Sequence, residues 1–249
     1  QRNRWRYMQR TSGGGGKDLK EWSLSRILEE IDKKFQKTLS SRIVLKKTPV
    51  ADYEDLLQKG TTPDSYRPTM FDFVAHNALQ FYQAPEQAGA KASDAFEISA
   101  ESPMFADAAE FVKWNPKTTD TESRKLRAIK LYQELIRFHS NDANKNALID
   151  ADLWRLTYGK SNAFGEEKNA NYKKALERFI GKWADHQISA RARYNLAQVL
   201  HGTTVATNMI LEGKGARTAL VTTKGFRHVL SIGRQDIPRK TNLYTWVKP

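Results

Sequence analysis

The residue types and spacings that come nearest to chemistry lie late in the chain, in His201-Gly202-Thr203-Thr204-Val205-Ala206-Thr207-Asn208. Threonines just after a turn cap a helix, and the helix start they mark carries free N–H groups that attract negative charge. His201, Thr203, Thr204 and Asn208 would then surround a phosphate or a polarised carbonyl, a ligand-holding arrangement without a nucleophile. The same four residues serve equally as a cap and a turn, a role that needs no ligand.

The other candidates fail on spacing. His76 lies inside an apolar helical run and reads as a lone packing or hydrogen-bonding histidine. Gly16-Lys17 closes a run of glycines, but Thr11 and Asp18 stand where a phosphate loop needs Gly and Ser or Thr. Asp142, Asp150 and Asp152 lack the fixed acidic spacing and central glycine of a calcium loop. Glu166 and Glu167 are adjacent, so on a helix they point in different directions and read as solvated. With no cysteine in the chain, disulfides, thiolate metal sites and a cysteine nucleophile are excluded. Residues 1–200 thus offer no catalytic constellation, and neither a metal nor any other cofactor is expected for this chain.

The elements that would position these residues change character near residue 200. Before it, apolar side chains recur at three- and four-residue spacing. Leu24, Ile27, Leu28, Ile31, Phe35 and Leu39 form one stripe behind the capping Ser23. Further helices are predicted over 50–58, from Met70 through Tyr82, and over 107–114, 124–138, 147–158, 171–183 and 189–200. A short extended piece is predicted over 95–98. Leu131-Tyr-Gln-Glu-Leu-Ile-Arg-Phe-His and Ala175-Leu-Glu-Arg-Phe-Ile-Gly-Lys-Trp resemble each other, and each precedes a shorter helix. That is the pattern of helical pairs which bury their faces against the next pair. After residue 200 a helix to about Glu212, a strand over 218–223 and a short helix over 226–232 are predicted. The expected fold is therefore mainly α: an irregular helical-repeat-like (TPR-like) array over 1–200, then a small α/β fragment over 201–249. One strand cannot satisfy its own edges, so independent stability of those last 49 residues is not expected.

Composition narrows the function classes. The hydrophobic share of 39% and the charged share of 28% are those of a chain with a packed core. No run approaches a membrane span, and the opening residues lack the apolar core of a signal peptide. The net charge of +13 is spread over both parts of the chain, which argues for solvation rather than a nucleic-acid footprint. Arg2, Arg4, Arg6 and Arg10 around Trp5 and Tyr7 form the sharpest basic cluster. They read as a helix end whose stems cover apolar neighbours. Nucleic acid is not an expected partner.

Two resemblances follow from specific motifs. His201-Gly-Thr-Thr-Val-Ala-Thr-Asn208, Gly215-Ala216-Arg217, Val221-Thr-Thr-Lys-Gly-Phe226 and Ile232-Gly-Arg-Gln235 resemble the N-terminal domain of hydantoinase and oxoprolinase A-type subunits. That resemblance implies an actin-like (ribonuclease H-like) nucleotide-binding fold and ATP-dependent opening of cyclic amides. It further implies a divalent metal, a B-type partner subunit and a cytoplasmic setting. The chain departs from the family at His228, where relatives usually carry Asp, and in having helices where the glycine-rich phosphate-binding turn is expected. Asn3-Arg4-Trp5-Arg6, Trp22-Ser-Leu-Ser-Arg-Ile-Leu28, Tyr66-Arg-Pro-Thr-Met-Phe-Asp-Phe73 and Asn162-Ala-Phe-Gly-Glu-Glu-Lys-Asn169 resemble a different family. This is the helical region of bacterial alpha-macroglobulin-like proteins, which implies an exported cell-envelope scaffold whose relatives engage proteases. The two patterns meet at 199–201 without a linker, so the expectation is a composite chain that is not catalytically competent on its own. The alternative is a purely structural or interaction domain of the envelope.

Overall fold

The computed structural model describes residues 22–58, 60–84 and 96–200. The chain divides into two units, residues 1–200 and 201–249, and every described residue lies in the first. The helices and strand expected beyond Leu200, and the actin-like fragment they would form, lie outside the described residues.

Local chemistry explains where most helices begin. Helix α1 (Leu24–Ser40) starts at Ser23, whose side chain accepts a hydrogen bond from the Arg26 N–H at 3.3 Å. Along the expected stripe Leu28 is buried, Phe35 and Leu39 pack half-buried on the core, and Ile31 stays 37% exposed. The same face also buries Asp32, which accepts from the Tyr82 hydroxyl at 2.9 Å and pairs with Arg127. A one-turn helix α2 (Arg42–Leu45) follows.

The helix expected over 50–58 is instead a 3-10 helix, Val50–Leu56, broken at Tyr53 by a φ of −123°. Only Val50 of that stretch is buried. Without an apolar face to dock, nothing holds those residues in α geometry. Val50 is fixed from outside, its N–H donating to the Pro68 carbonyl at 2.9 Å while Met70 N–H donates to Thr48.

Helix α3 (Met70–Tyr82) opens on a capping box: the Thr69 hydroxyl accepts from the Asp72 N–H, and the Asp72 carboxylate accepts from the Thr69 N–H at 3.0 Å. Helix α4 (Ala108–Lys113) is capped by Asp107 and α5 (Arg124–His139) by Ser123. Helices α6 (Asn146–Asn162), α7 (Lys168–Lys182) and α8 (Ile188–Leu200) complete the described residues. Neighbours in this order stack: α1 on α3, α3 on α5, then α5, α6, α7 and α8 each on the next. The pairs α5/α6 and α7/α8 are the two similar stretches of the sequence, so their likeness is that of successive layers.

Two short strands, β1 (Ile98–Ser99) and β2 (Ala163–Phe164), pair in parallel, and the Ala100 N–H extends the ladder to the Phe164 carbonyl at 2.8 Å. The extended piece expected over 95–98 overlaps β1 at Ile98 alone. Two residues carry no periodicity, which is why β2 escapes a reading by period.

The core runs through the stack as Phe71, Leu79, Met104, Phe111, Ile129, Leu135, Ile149, Leu153 and Leu176, all at most 2% exposed. A 3-10 turn, Pro103–Phe105, wedges into it against α6 and α7. Gly159 makes the wedge possible. A Cβ there would stand 2.8 Å from Met104 Cγ and 3.0 Å from Phe105 Cε1, closer than packed side chains tolerate. No helix among the described residues is long and apolar enough to cross a membrane.

Candidate functional site

His139, at the end of α5, is 1% exposed and lies between two carboxylates. Its Nε2 is 2.7 Å from Asp72 Oδ1 and its Nδ1 is 2.6 Å from Asp142 Oδ2. Burial draws its pKa down, but the hydrogen bonds and charges of Asp72 and Asp142 outweigh burial, and the balance is upward. Both ring nitrogens are committed, so the arrangement holds a charged imidazolium and leaves no nitrogen free to act on a ligand. His76 behaves oppositely: burial, with Arg67 nearby, holds it neutral with a pKa of about 3. Asp72, one turn earlier on the same helix, is the acid that a reading of His76 as solitary passes over. No group of three or more metal-binding side chains occurs among the described residues.

A pocket of about 410 Å³ opens beside this network. Tyr66 and Arg67 come from the 3-10 turn Asp64–Tyr66 and its cap, Asp150 and Trp154 from one face of α6, and Gln187 and Arg191 from the start of α8. The positions follow from helix geometry: Asp150 and Trp154 are four apart and stand one above the other. The Arg191 guanidinium covers the Trp154 ring at 4.2 Å and approaches Asp150 Oδ1 at 3.6 Å. The Tyr66 hydroxyl accepts a hydrogen bond from the Gln187 side-chain amide. His186 Nε2 donates to Asn146 Oδ1 at 2.8 Å, and Asn146 Nδ2 donates to Ser65 Oγ at 3.0 Å, tying the rim together.

Three buried polar atoms at this pocket make no hydrogen bond of good geometry among the described residues: Arg67 Nε, Trp154 Nε1 and Asp150 Oδ2, the last two on side chains that interact with each other. Buried polar groups of folded proteins are nearly always paired, which leaves Arg67 Nε as a buried donor without a partner among the described residues. Burial pushes the Asp150 carboxyl up, against the opposing pull of Arg191, Arg67 and a hydrogen bond from the Trp154 side chain. Burial likewise lowers Arg67, against the charges of Asp150 and Asp72.

The residues expected from sequence to face a ligand, His201, Thr203, Thr204 and Asn208, lie outside the described residues. Glu166 and Glu167 are exposed, as expected. The three aspartates rejected as calcium ligands do separate work: Asp142 holds His139, Asp150 lines the pocket, and Asp152 pairs with the buried Arg155. Only the i,i+3 spacings of His139 with Asp142 and Asp152 with Arg155 were signals available beforehand.

Residues 161–249 match the hydantoinase/oxoprolinase N-terminal region. A 5-oxoprolinase of Dictyostelium discoideum is 37% identical over 76 residues, 30% of this chain and 6% of that protein. The 5-oxoprolinase PfmaA of Pestalotiopsis fici is 60% identical over 42 residues, 17% of this chain and 3% of that protein. The 5-oxoprolinase 1 of Arabidopsis thaliana is 62% identical over 37 residues, 15% of this chain and 3% of that protein. No solved structure matches. The macroglobulin-like resemblance of residues 1–200 has no counterpart among these relatives. The match begins at Ser161, forty residues before the expected start at His201. It therefore takes in β2, α7 and α8, whose Tyr172, Leu176, Phe179 and Ala192 belong to the core of the first unit. Residues 161–249 are thus similar to the hydantoinase/oxoprolinase N-terminal region, in a chain that spans no more than 6% of the length of these relatives.

Proposed function

We propose that this chain joins a helical binding and scaffolding body, residues 1–200, to a slice of a cyclic-amide hydrolase, and that it does not itself open a ring. The observation that carries the hydrolase reading is the match over 161–249 to a family whose relatives here are named 5-oxoprolinases. In this reading His201, Thr203, Thr204 and Asn208 hold a phosphate or a polarised carbonyl at a helix start. ATP, a divalent metal and a B-type subunit would belong to the complete hydrolase. The body would act as a scaffold of the kind found in envelope macroglobulin-like proteins, and the two parts would have separate origins. The division of the chain at Leu200 supports that separation.

A second reading is favoured by the start of the match at Ser161. There the chain is one continuous protein whose hydrolase-type region begins inside α6 and uses α7 and α8 as part of the helical body.

The purified chain with magnesium, ATP and 5-oxoproline tests the proposal. We expect no ring opening and no ATP hydrolysis above a control lacking the chain. ATP-dependent release of glutamate would overturn it and make the chain a hydrolase in its own right.

A further inference from the structure

We propose that the cleft between α1, α2 and α5 is a docking surface for an acidic polypeptide segment, seated by one apolar side chain. The inference rests on the described residues alone and stands whichever reading of residues 201–249 holds.

Positive charge gathers here in sequence and in space. Residues 33–47 hold six basic residues and no acidic one, and residues 124–130 hold four and none. Folding sets the two runs side by side. Arg127 of α5 pairs with Asp32 of α1, while Arg42 and Lys46 approach Glu134 of α5 at 3.5 and 2.8 Å. Four carboxylates, Glu30, Asp32, Glu122 and Glu134, form ion pairs with these ten cations, which leaves a surplus of six. Lys130, exposed on the lining of the cleft, forms no ion pair among the described residues. Such a surplus attracts and orients an acidic partner.

The cleft between the runs has a volume of about 410 Å³. Its floor is apolar, made of Leu39, Leu131 and the ring of Tyr82, whose hydroxyl already donates to Asp32 at 2.9 Å. Arg42, Arg127 and Lys130 stand around that floor, and the Arg42 side chain is 58% exposed. One apolar side chain gains by leaving water for the floor, and carboxylates on either side of it meet the cations at the rim.

The lining also separates this occupant from others. A single nucleic-acid strand gains most from bases stacked on exposed aromatic rings, and the only ring in the lining is the buried Tyr82. Glu134 in the wall repels a phosphate but can accept from a peptide N–H, and the Gln36 amide can donate to a peptide carbonyl. A second copy of this chain, at a net charge of +13, is repelled by the same surplus.

The test is fluorescence anisotropy of the full chain with a labelled peptide that carries a leucine between two runs of glutamate. It is compared with the same peptide carrying glycine for leucine, and with an oligothymidylate of equal charge. The leucine peptide should bind about tenfold more tightly than either, and should weaken about tenfold between about 50 and about 300 mM salt. Lys130→Glu should weaken it about fivefold, whereas Lys174→Glu, the same charge change on an exposed position of α7, should alter it by no more than about twofold. Arg42→Gln should also weaken it, and serves as the second variant should K130E lose its fold. Equal binding of the glycine peptide or of the oligothymidylate would overturn the proposal, as would equal losses in K130E and K174E. So would the absence of binding at millimolar concentration, or a dimer in sedimentation that Lys130→Glu dissociates, which would make a second copy the occupant.

Discussion

Replacing Arg155 with methionine is expected to lower the unfolding free energy by about 3–5 kcal/mol, the usual cost of leaving half of a buried ion pair behind. Arg155 is 1% exposed in the middle of α6. Its guanidinium donates to the Met104 carbonyl at 2.8 Å, to the Ala106 carbonyl at 3.0 Å and to Asp152 Oδ1 at 3.0 Å, and lies over the Phe111 ring at 4.7 Å. One side chain thereby closes the 3-10 wedge onto α6 and satisfies two carbonyls that have left regular structure. Methionine fills much of the volume but supplies no donor, so two carbonyls and Asp152 are left without it. For a chain of this size the loss corresponds to a fall in melting temperature on the order of 10 °C. A thermal melt of Arg155→Met within about 1 kcal/mol of the unaltered chain would show that the guanidinium is incidental.

Asp72→Asn should cost about 2–4 kcal/mol, because one carboxylate serves both the cap of α3 and the charge of His139. The Asp72 carboxylate accepts from the Thr69 N–H and hydroxyl, and lies against His139 Nε2. The substitution also changes the pH profile in a direction that can be worked out. His139 is raised in the folded chain above its ordinary value of 6.5. Its contribution is therefore complete below about pH 6.5 and is lost as pH rises through the folded value. His76 runs the other way: with a folded value of about 3, it removes stability as pH falls from about 6.5 towards 3. The unaltered chain should thus lose urea stability above neutral pH through His139. In Asp72→Asn that alkaline decline should flatten, while the acid limb set by His76 remains. Urea midpoints between pH 5 and pH 9 would show it, and an unchanged alkaline limb would remove Asp72 from the His139 linkage.

Much of the frame was legible in the sequence, and the reason is locality. Ser23 and the helix stripes behind Met70, Arg124 and Asn171 depend on neighbours within one or two turns, and spacing reports such neighbours. The β1–β2 pair and the pocket depend on residues far apart. Arg155 meets Met104 across 51 positions, and His139 meets Asp72 across 67. Nothing in the spacing of Arg67, Asp150 and Arg191 announces that folding gathers them. The error at 50–58 has a different source, since that stretch docks no apolar face and settles into 3-10 turns. The late motif was readable as a resemblance, yet the extension of the match back to Ser161 was not. Those forty residues carry core positions of the helical stack, so their texture is that of the body.

We propose that residues 1–200 fold as a unit without residues 201–249. Expressing residues 1–200 alone and measuring urea unfolding against the full chain tests it most directly. One cooperative transition with a free energy within about 1 kcal/mol of the full chain is expected, since the buried side chains of the helical stack pack on one another within residues 1–200. A fragment that fails to fold, or unfolds at markedly lower urea, would contradict the account and make residues 201–249 part of one continuous structure.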